Sequence, residues 1–355
     1  MPAETLVHIL RDNYTEAKVR GKKSFLLERQ QLYSLAEFRT QTEILGFLAD
    51  GPYGPELSKL QETSSPVEVE RAVRMGFARS IGNLASTAKG NVKQFLVEYR
   101  RRFEAYDLAS LVLYKSQEKN WEEYVGNRLP LGLMNEKELH RLYSVEDLEA
   151  LASEVGDKDL QSRLSGLELE GLTPDKASLI RDIFTGWGEE RFYIFITRKL
   201  RGRDKESCLP IVGSSIDLVN LSIILRSKLI GISNIQDHIV PVRWKLSKKA
   251  VDQLVSSEDL SAALDRSATL PYYRKLLPGA RQRYEETKSL SFIEVLVRKH
   301  MIDLSREILL GFPYTIGVEL AFLVLKENEA RNLAAVVSGV GAGLKPDQIR
   351  PLVAV

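Results

Sequence analysis

Cysteine is nearly absent: Cys208 is the single one in 355 residues, so no intrachain disulfide can form, and a reducing, cytosolic setting fits best. Histidine is scarce as well. His8, His140, His238 and His300 are scattered, with no paired spacing such as H-E-x-x-H, and surface or helix-packing positions account for them better than a metal site does. No excess charge of one sign exists, with Lys plus Arg at 50 and Asp plus Glu at 48. That balance argues against a nucleic-acid surface, which needs a concentrated positive excess. The opening stretch MPAETLVHILRDNYTEAKVR alternates apolar and charged residues at helical spacing and lacks the apolar core of a signal peptide. A soluble protein is expected, one that meets a membrane through a partner.

Long uninterrupted apolar runs are also missing. The nearest is Ile308 to Leu325, with Glu319 its single charge. Gly311-Phe312-Pro313 breaks it, because proline lacks an amide donor and restricts the residue before it. The run then merges into Lys326-Glu327-Asn328-Glu329-Ala330-Arg331. A buried helix pair is expected rather than a membrane span, with Leu320, Leu323 and Leu333 in the core and small residues Gly317 and Ala321 admitting a neighbouring helix. Glu319 is read as a helix-face acid reaching solvent or a basic partner.

Catalytic signatures fail in turn. Gly339-Val340-Gly341-Ala342-Gly343-Leu344-Lys345-Pro346 suggests a phosphate loop, yet Leu344 and Pro346 stand where glycine and Ser/Thr are required, and the glycines follow a helix rather than a strand. A connector into a last helix, Lys345 to Leu352, is expected instead. No Gly-x-Ser-x-Gly elbow or Cys/His nucleophile is present. Arg100-Arg101-Arg102 reads as a solvated helix face, with an acidic partner or anionic lipid headgroups as alternatives. Arg198-Lys199-x-Arg201-x-Arg203-x-Lys205 lies at a helix end, where positive charge suits the dipole. No catalytic, cofactor-binding or metal-binding residue is assigned, and no cofactor is expected.

What the chain does have is helical periodicity and repetition. Pro66 to Ala85, Pro174 to Lys199 and Arg281 to Leu309 carry apolar residues at three-to-four spacing, as do Gln94 to Lys115, Ser215 to Leu229 and Val318 to Val337. Strand signals are thin: Leu209-Pro210-Ile211-Val212 and Ile239-Val240-Pro241-Val242 are short and broken by proline. The stretch from Leu32 to Phe38 recurs as Leu142 to Leu148 and Leu254 to Leu260, at offsets of 110 and 112 residues. Ser34, Ser144 and Ser256 are read there as helix N-caps, with an acid three residues on and a hydrophobic staple around each. Independently, Asp107-x-x-Ser110-Leu111 recurs as Asp217-x-x-Asn220-Leu221 and Glu329-x-x-Asn332-Leu333 at the same two offsets. Turn residues at Gly126 to Gly132 and Gly231 to Asn234 fall between the repeats. The expected fold is all-α, with three similar helical domains in a pseudo-threefold arrangement, at 1–120, 121–232 and 233–355.

The wording YTIGVELAFLVLKENEARNLAAVVSG followed by GLKPDQIRPLV resembles the C subunit of archaeal and bacterial V/A-type ATPases, the d subunit of the eukaryotic V-ATPase. Similar wording occurs at Tyr14-x-x-Ala17-x-Val19-Arg20, around Pro52-Tyr53-Gly54, from Asp217 to Lys228, and at Arg283-Tyr284-Glu285. The first repeat departs most, with Tyr114-Lys115 where the second ends in Leu225-Arg226-x-Lys228. The resemblance implies a funnel of three helical domains and a non-catalytic central-stalk subunit of a rotary ATPase. Such a subunit is a socket that couples the rotating shaft to the membrane rotor ring. It further implies shaft and ring subunits as partners, one copy per complex, and a cytoplasmic position peripheral to the membrane without insertion. An all-helical enzyme, with acids or bases converging in a cleft, or an unrelated helical scaffold is the alternative from the residues alone.

Overall fold

The computed structural model describes residues 15–61 and 64–355; the expectations placed on His8 and Tyr14 lie outside them. Among the described residues every regular element is helical and no strand is present. The protein is all-α, and the reason is visible in its capping. Ser65 and Thr173 cap Pro66–Ala85 and Pro174–Lys199, each accepting the amide three residues on, with proline at the first helical position.

One order of elements recurs three times along the chain. A short helix pair, Arg29–Leu35 and Gln41–Ala49, is followed by the long Pro66–Ala85 and then by Gly90–Arg101 and Glu104–Ser116. Glu136–Tyr143 and Leu148–Val155 lead likewise to Pro174–Lys199 and Gly202–Leu229. Lys248–Val255 and Leu260–Ser267 lead to Ser291–Leu310 and Ile316–Gly341. By spatial proximity the chain forms two compact units. The first takes in Met1–Val97, Arg201–Cys208 and Arg298–Val355, and the second takes in Glu98–Leu200 and Leu209–Val297.

The first unit is built on Ile316–Gly341, whose Leu320, Leu323 and Leu333 are fully buried as expected. Against it packs Pro66–Ala85, which buries Val69, Val73, Phe77, Ile81 and Leu84 at three-to-four spacing. Two glycines allow close approach: a Cβ on Gly317 would stand 2.4 Å from Ser207 Oγ, and one on Gly341 would stand 2.4 Å from Pro66 Cγ. In the second unit Pro174–Lys199 packs on Glu104–Ser116. Its interior ion pairs are Arg102 Nη1 to Glu189 Oε1 at 2.9 Å and Arg163 Nη2 to Glu190 Oε2 at 2.5 Å.

Several expectations are corrected. Ser34, Ser144 and Ser256 are not N-caps but stand at equivalent helix C-termini, each hydroxyl donating to a carbonyl three or four residues back. Asp147 and Asp259, three residues later, are the caps of the following helices, and Thr40 does this in the first copy. A carboxylate is the stronger acceptor at a helix N-terminus, so it takes the role assigned to serine. Gln94 to Lys115 is two helices that part around Arg102 and Phe103, and Arg281 to Leu309 is broken by left-handed Lys288. Leu209 to Val212 lies inside Gly202–Leu229, with Pro210 accommodated in the helix.

Arg100 and Arg102 do not form a solvated face. Arg100 donates to the carbonyls of Leu131 and Gly132, Arg102 is buried on Glu189, and Arg101 alone of the three is exposed, paired with Glu98. Glu319 is 2% exposed rather than solvated, on a helix face that also covers buried Cys208. Burial, with Asp204 and Glu319 adding to it, pushes the Cys208 thiol well up. The last helix lies where expected, with Lys345 as N-cap, Pro346–Ile349 as an α-helical turn and Arg350–Leu352 as a 3₁₀ turn. Among the described residues Gly202–Leu229 is the helix long and apolar enough to cross a membrane, and 72% of its apolar window is buried inside the protein, as in a core helix.

Leu323→Ala is expected to cost about 2–5 kcal/mol, the range for emptying a buried leucine site. Urea unfolding checks it; an unchanged midpoint would remove this helix from the core.

Candidate functional site

The three marker acids, Asp107, Asp217 and Glu329, are all buried. Each fastens the chain just before the N-cap of a short helix. Asp217 accepts the amides of Trp244 at 2.8 Å, Lys245 at 2.6 Å and Leu246 at 2.8 Å, and Leu246 precedes the cap Ser247. Glu329 accepts the amide of Leu27, which precedes the cap Glu28. Asp107 works through an intermediary: Arg128 forks onto it with two bonds of 2.9 Å and donates to the Met134 carbonyl at 2.8 Å, and Met134 precedes the cap Asn135. The second acid thus holds the entry to the third repeat, and the third acid holds the entry to the first.

Each acid also has a buried tyrosine. Tyr273 donates to Asp217 Oδ2 at 2.8 Å and Tyr53 to Glu329 Oε1 at 2.6 Å, while Tyr124 reaches the Asp107 backbone carbonyl at 3.2 Å. Lys326 completes the Glu329 site, bonded to its carboxylate and lying 4.1 Å from the Tyr53 ring centroid. Burial pushes the phenols of Tyr53 and Tyr273 well above their ordinary value, and the carboxylates beside them push the same way. Asp107 is also raised, because burial outweighs the Arg128 pairing.

The asparagine of the motif has its own task. Asn220 donates to the Val240 carbonyl at 3.0 Å and accepts the Val240 amide at 2.7 Å. Asn332 treats Ala354 identically, at 2.7 and 2.9 Å. An asparagine carries both donor and acceptor, so it satisfies an extended residue as a neighbouring strand would. This explains why Ile239 to Val242 looks strand-like in sequence yet joins no sheet. Ser110, at the same place in the first repeat, has too short a side chain for such a clamp.

The expected histidines do not converge. His238 is buried with Nδ1 2.7 Å from the Arg163 carbonyl, His140 is exposed with its ring edge-on to Trp121, and His300 is half-buried and held below its ordinary pKa by burial. Among the described residues no three His, Cys, Asp or Glu side chains are grouped as a metal would need. A cleft of about 460 Å³ in the first unit lies beside Glu329 and is lined by Lys23, Arg306, Asn328 and Asn332 among others. It mixes both charges with amides.

The sequence marked these acids as recurrent without revealing their partners. Tyr53 stood out only within Pro52-Tyr53-Gly54 and Tyr273 not at all, and nothing in the sequence joined either to an acid beyond their lying 19 and 17 residues past a marker serine.

These features define an all-helical protein whose three marker carboxylates, directly or through Arg128, fasten the chain at the entries to short helices. The family model of the ATP synthase (C/AC39) subunit matches residues 15–352, and the chain belongs to that family. Over 96% of its length it is 25% identical to the C subunit of the A-type ATP synthase of Methanocaldococcus jannaschii, covering 85% of that protein. It is 24% identical to the corresponding C subunit of Pyrococcus abyssi and 27% identical to that of Thermococcus kodakarensis, over 96% of this chain and 90% of each relative.

Asn220→Ala strips the Val240 amide and carbonyl of their partners, whereas Asn332→Ala strips the Ala354 amide alone, because Asn328 Nδ2 also donates to the Ala354 carbonyl at 3.0 Å. At about 1–3 kcal/mol per orphaned group, Asn220→Ala is expected to cost about 2–6 kcal/mol and Asn332→Ala about 1–3 kcal/mol in urea unfolding. Equal stability to the parent would show that the clamps hold nothing.

The tyrosines give a pH signature. A phenol whose folded pKa lies above its unfolded value near 10 binds its proton more tightly when folded. Its stabilisation is present below that pH and is lost as pH rises above it. Tyr53→Phe and Tyr273→Phe are each expected to remove about 1 kcal/mol of the stability lost between about pH 10 and 11, read from unfolding midpoints.

Proposed function

We propose that the chain is the non-catalytic C subunit of a rotary V/A-type ATPase, a central-stalk socket joining the rotating shaft to the membrane rotor ring. The observation that carries this reading is the family match over nearly the whole chain, with relatives named as the C subunit of the A-type ATP synthase. Three similar helical domains, 1–120, 121–232 and 233–355, are part of the proposal. The threefold recurrence of element order and the equivalent placement of Asp107, Asp217 and Glu329 support them.

A socket of this kind transmits torque and performs no chemistry. It needs stiffness under load, which close-packed long helices supply because protein interiors resist compression. Asp107, Asp217 and Glu329 add directional ties between each repeat and the next entry. The partners are shaft and ring subunits, with one copy of this chain per complex and no nucleic acid. The chain sits at the cytoplasmic face, peripheral to the membrane and without insertion.

Removing the chain from the assembled ATPase is expected to leave ATP hydrolysis by the catalytic head and to abolish ion movement coupled to it. Ion uptake into vesicles, measured beside phosphate release, checks this. Retained coupling without the chain, or ATP turnover by the purified chain alone, would overturn the socket.

A further inference from the structure

The connection from Ser291–Leu310 to Ile316–Gly341 turns apolar side chains outward. Leu310 is 82% exposed, Phe312 54% and Tyr314 64%. Three large apolar groups in five residues at a helix connection are unusual, since such turns are ordinarily polar with glycine or asparagine where φ is positive. Here Tyr314 itself takes φ +65, a costly conformation for a bulky residue that persists only when its surroundings hold it. The Tyr314 amide donates to Glu16 Oε2 at 2.7 Å, and the other oxygen of Glu16 holds Arg20 Nε at 2.7 Å.

The loop is framed by cations. The Arg203 guanidinium lies 3.9 Å from the Phe312 ring centroid. Arg201, also exposed, stands two residues before it, and Arg20 is exposed beside Glu16. The acids here are partly turned inward: Glu16 is buried and Asp204 accepts the Ile316 amide at 2.9 Å. Exposed Glu206 and Glu307 offset the cations in part.

We propose that the Leu310–Tyr314 loop is an interfacial membrane contact. It seats Leu310, Phe312 and Tyr314 at the headgroup–acyl boundary while Arg20 and Arg203 meet the phosphates of anionic lipids. Apolar and aromatic tips flanked by arginine are the pattern that partitions to such a boundary. The patch is also small. Three side chains fall well short of the roughly 800 Å² per partner of a stable protein interface, whereas a peripheral lipid contact needs no such area when the rest of an assembly already holds the protein at the surface. The inference rests on the proposed function for that placement beside a membrane.

Flotation of the 355-residue chain with phosphatidylcholine vesicles, with and without added phosphatidylglycerol, tests it. Binding is expected on the anionic vesicles, falling at high salt. Arg203→Glu is expected to weaken it at least about fivefold, the factor one surface cation supplies. Leu310→Ser with Phe312→Ser should release the chain while its thermal midpoint holds, and Val67→Ser, equally exposed elsewhere in the sequence, should bind as the parent does. No binding by the parent, or unchanged binding by the Leu310/Phe312 variant, overturns the proposal. Loss of that variant from the assembled ATPase without any vesicle binding would assign the loop to a protein partner and overturn it equally. Incorporation of the parent chain into the ATPase is scored separately, so a socket that ignores lipid remains distinguishable from a chain that is no socket.

Discussion

A buried extended stretch must find partners for its amides and carbonyls, and where the described residues form no strand no ladder supplies them. The fold answers this with side chains. Asp217 takes three consecutive amides, Asn220 and Asn332 each take both polar groups of one residue, and Glu329 takes the Leu27 amide. Without these groups the entries to the short helices would carry orphaned polar atoms into the interior. The long helices therefore act as cores and as the hydrogen-bonding edge that a sheet would otherwise provide.

Periodicity made the helices legible. Pro66–Ala85 and Pro174–Lys199 begin and end where cap, proline and apolar spacing place them, because those signals are local. The repeat was legible for the same reason that its chemistry was not. Asp217 and Asn220 recur at a fixed offset, which a sequence shows, but their partners lie 20 to 56 residues away, which it does not. Misreadings came where tertiary partners override local preference. Arg102 leaves its expected solvated face to pair with Glu189, and Glu319 is buried rather than reaching solvent. The serine caps were misread because several residues in each stretch suit the role, and Thr40, Asp147 and Asp259 take it while the serines close the preceding helices.

The first repeat differs in a way that its residues explain. Asp107 is followed by Ser110 rather than asparagine, so the clamp is lost, and Arg128 forks between the acid and the Met134 carbonyl instead. A buried arginine–carboxylate pair carries a large desolvation cost that its attraction only partly offsets, in keeping with the raised pKa of Asp107. An acid held by backbone amides places no second charge in the interior. By this measure the second repeat joins its neighbour with less electrostatic strain than the first, whereas Glu329 in the third is paired with the buried cation of Lys326.

The bond from Glu329 to Leu27 spans 302 positions. Closing a loop of that length costs about 5 kcal/mol in chain entropy, and a hydrogen bond contributes about 1 kcal/mol net, so the clasp cannot be what brings the chain ends together. Burial does that, through the apolar faces of Pro66–Ala85 and Ile316–Gly341. Apolar packing is non-directional, however, and two greasy helices tolerate small slides at little cost. Hydrogen bonds do not, because they weaken steeply with angle and distance. The division of labour follows: apolar contact supplies the free energy of closure, and Glu329, Tyr53 and Lys326 set its register.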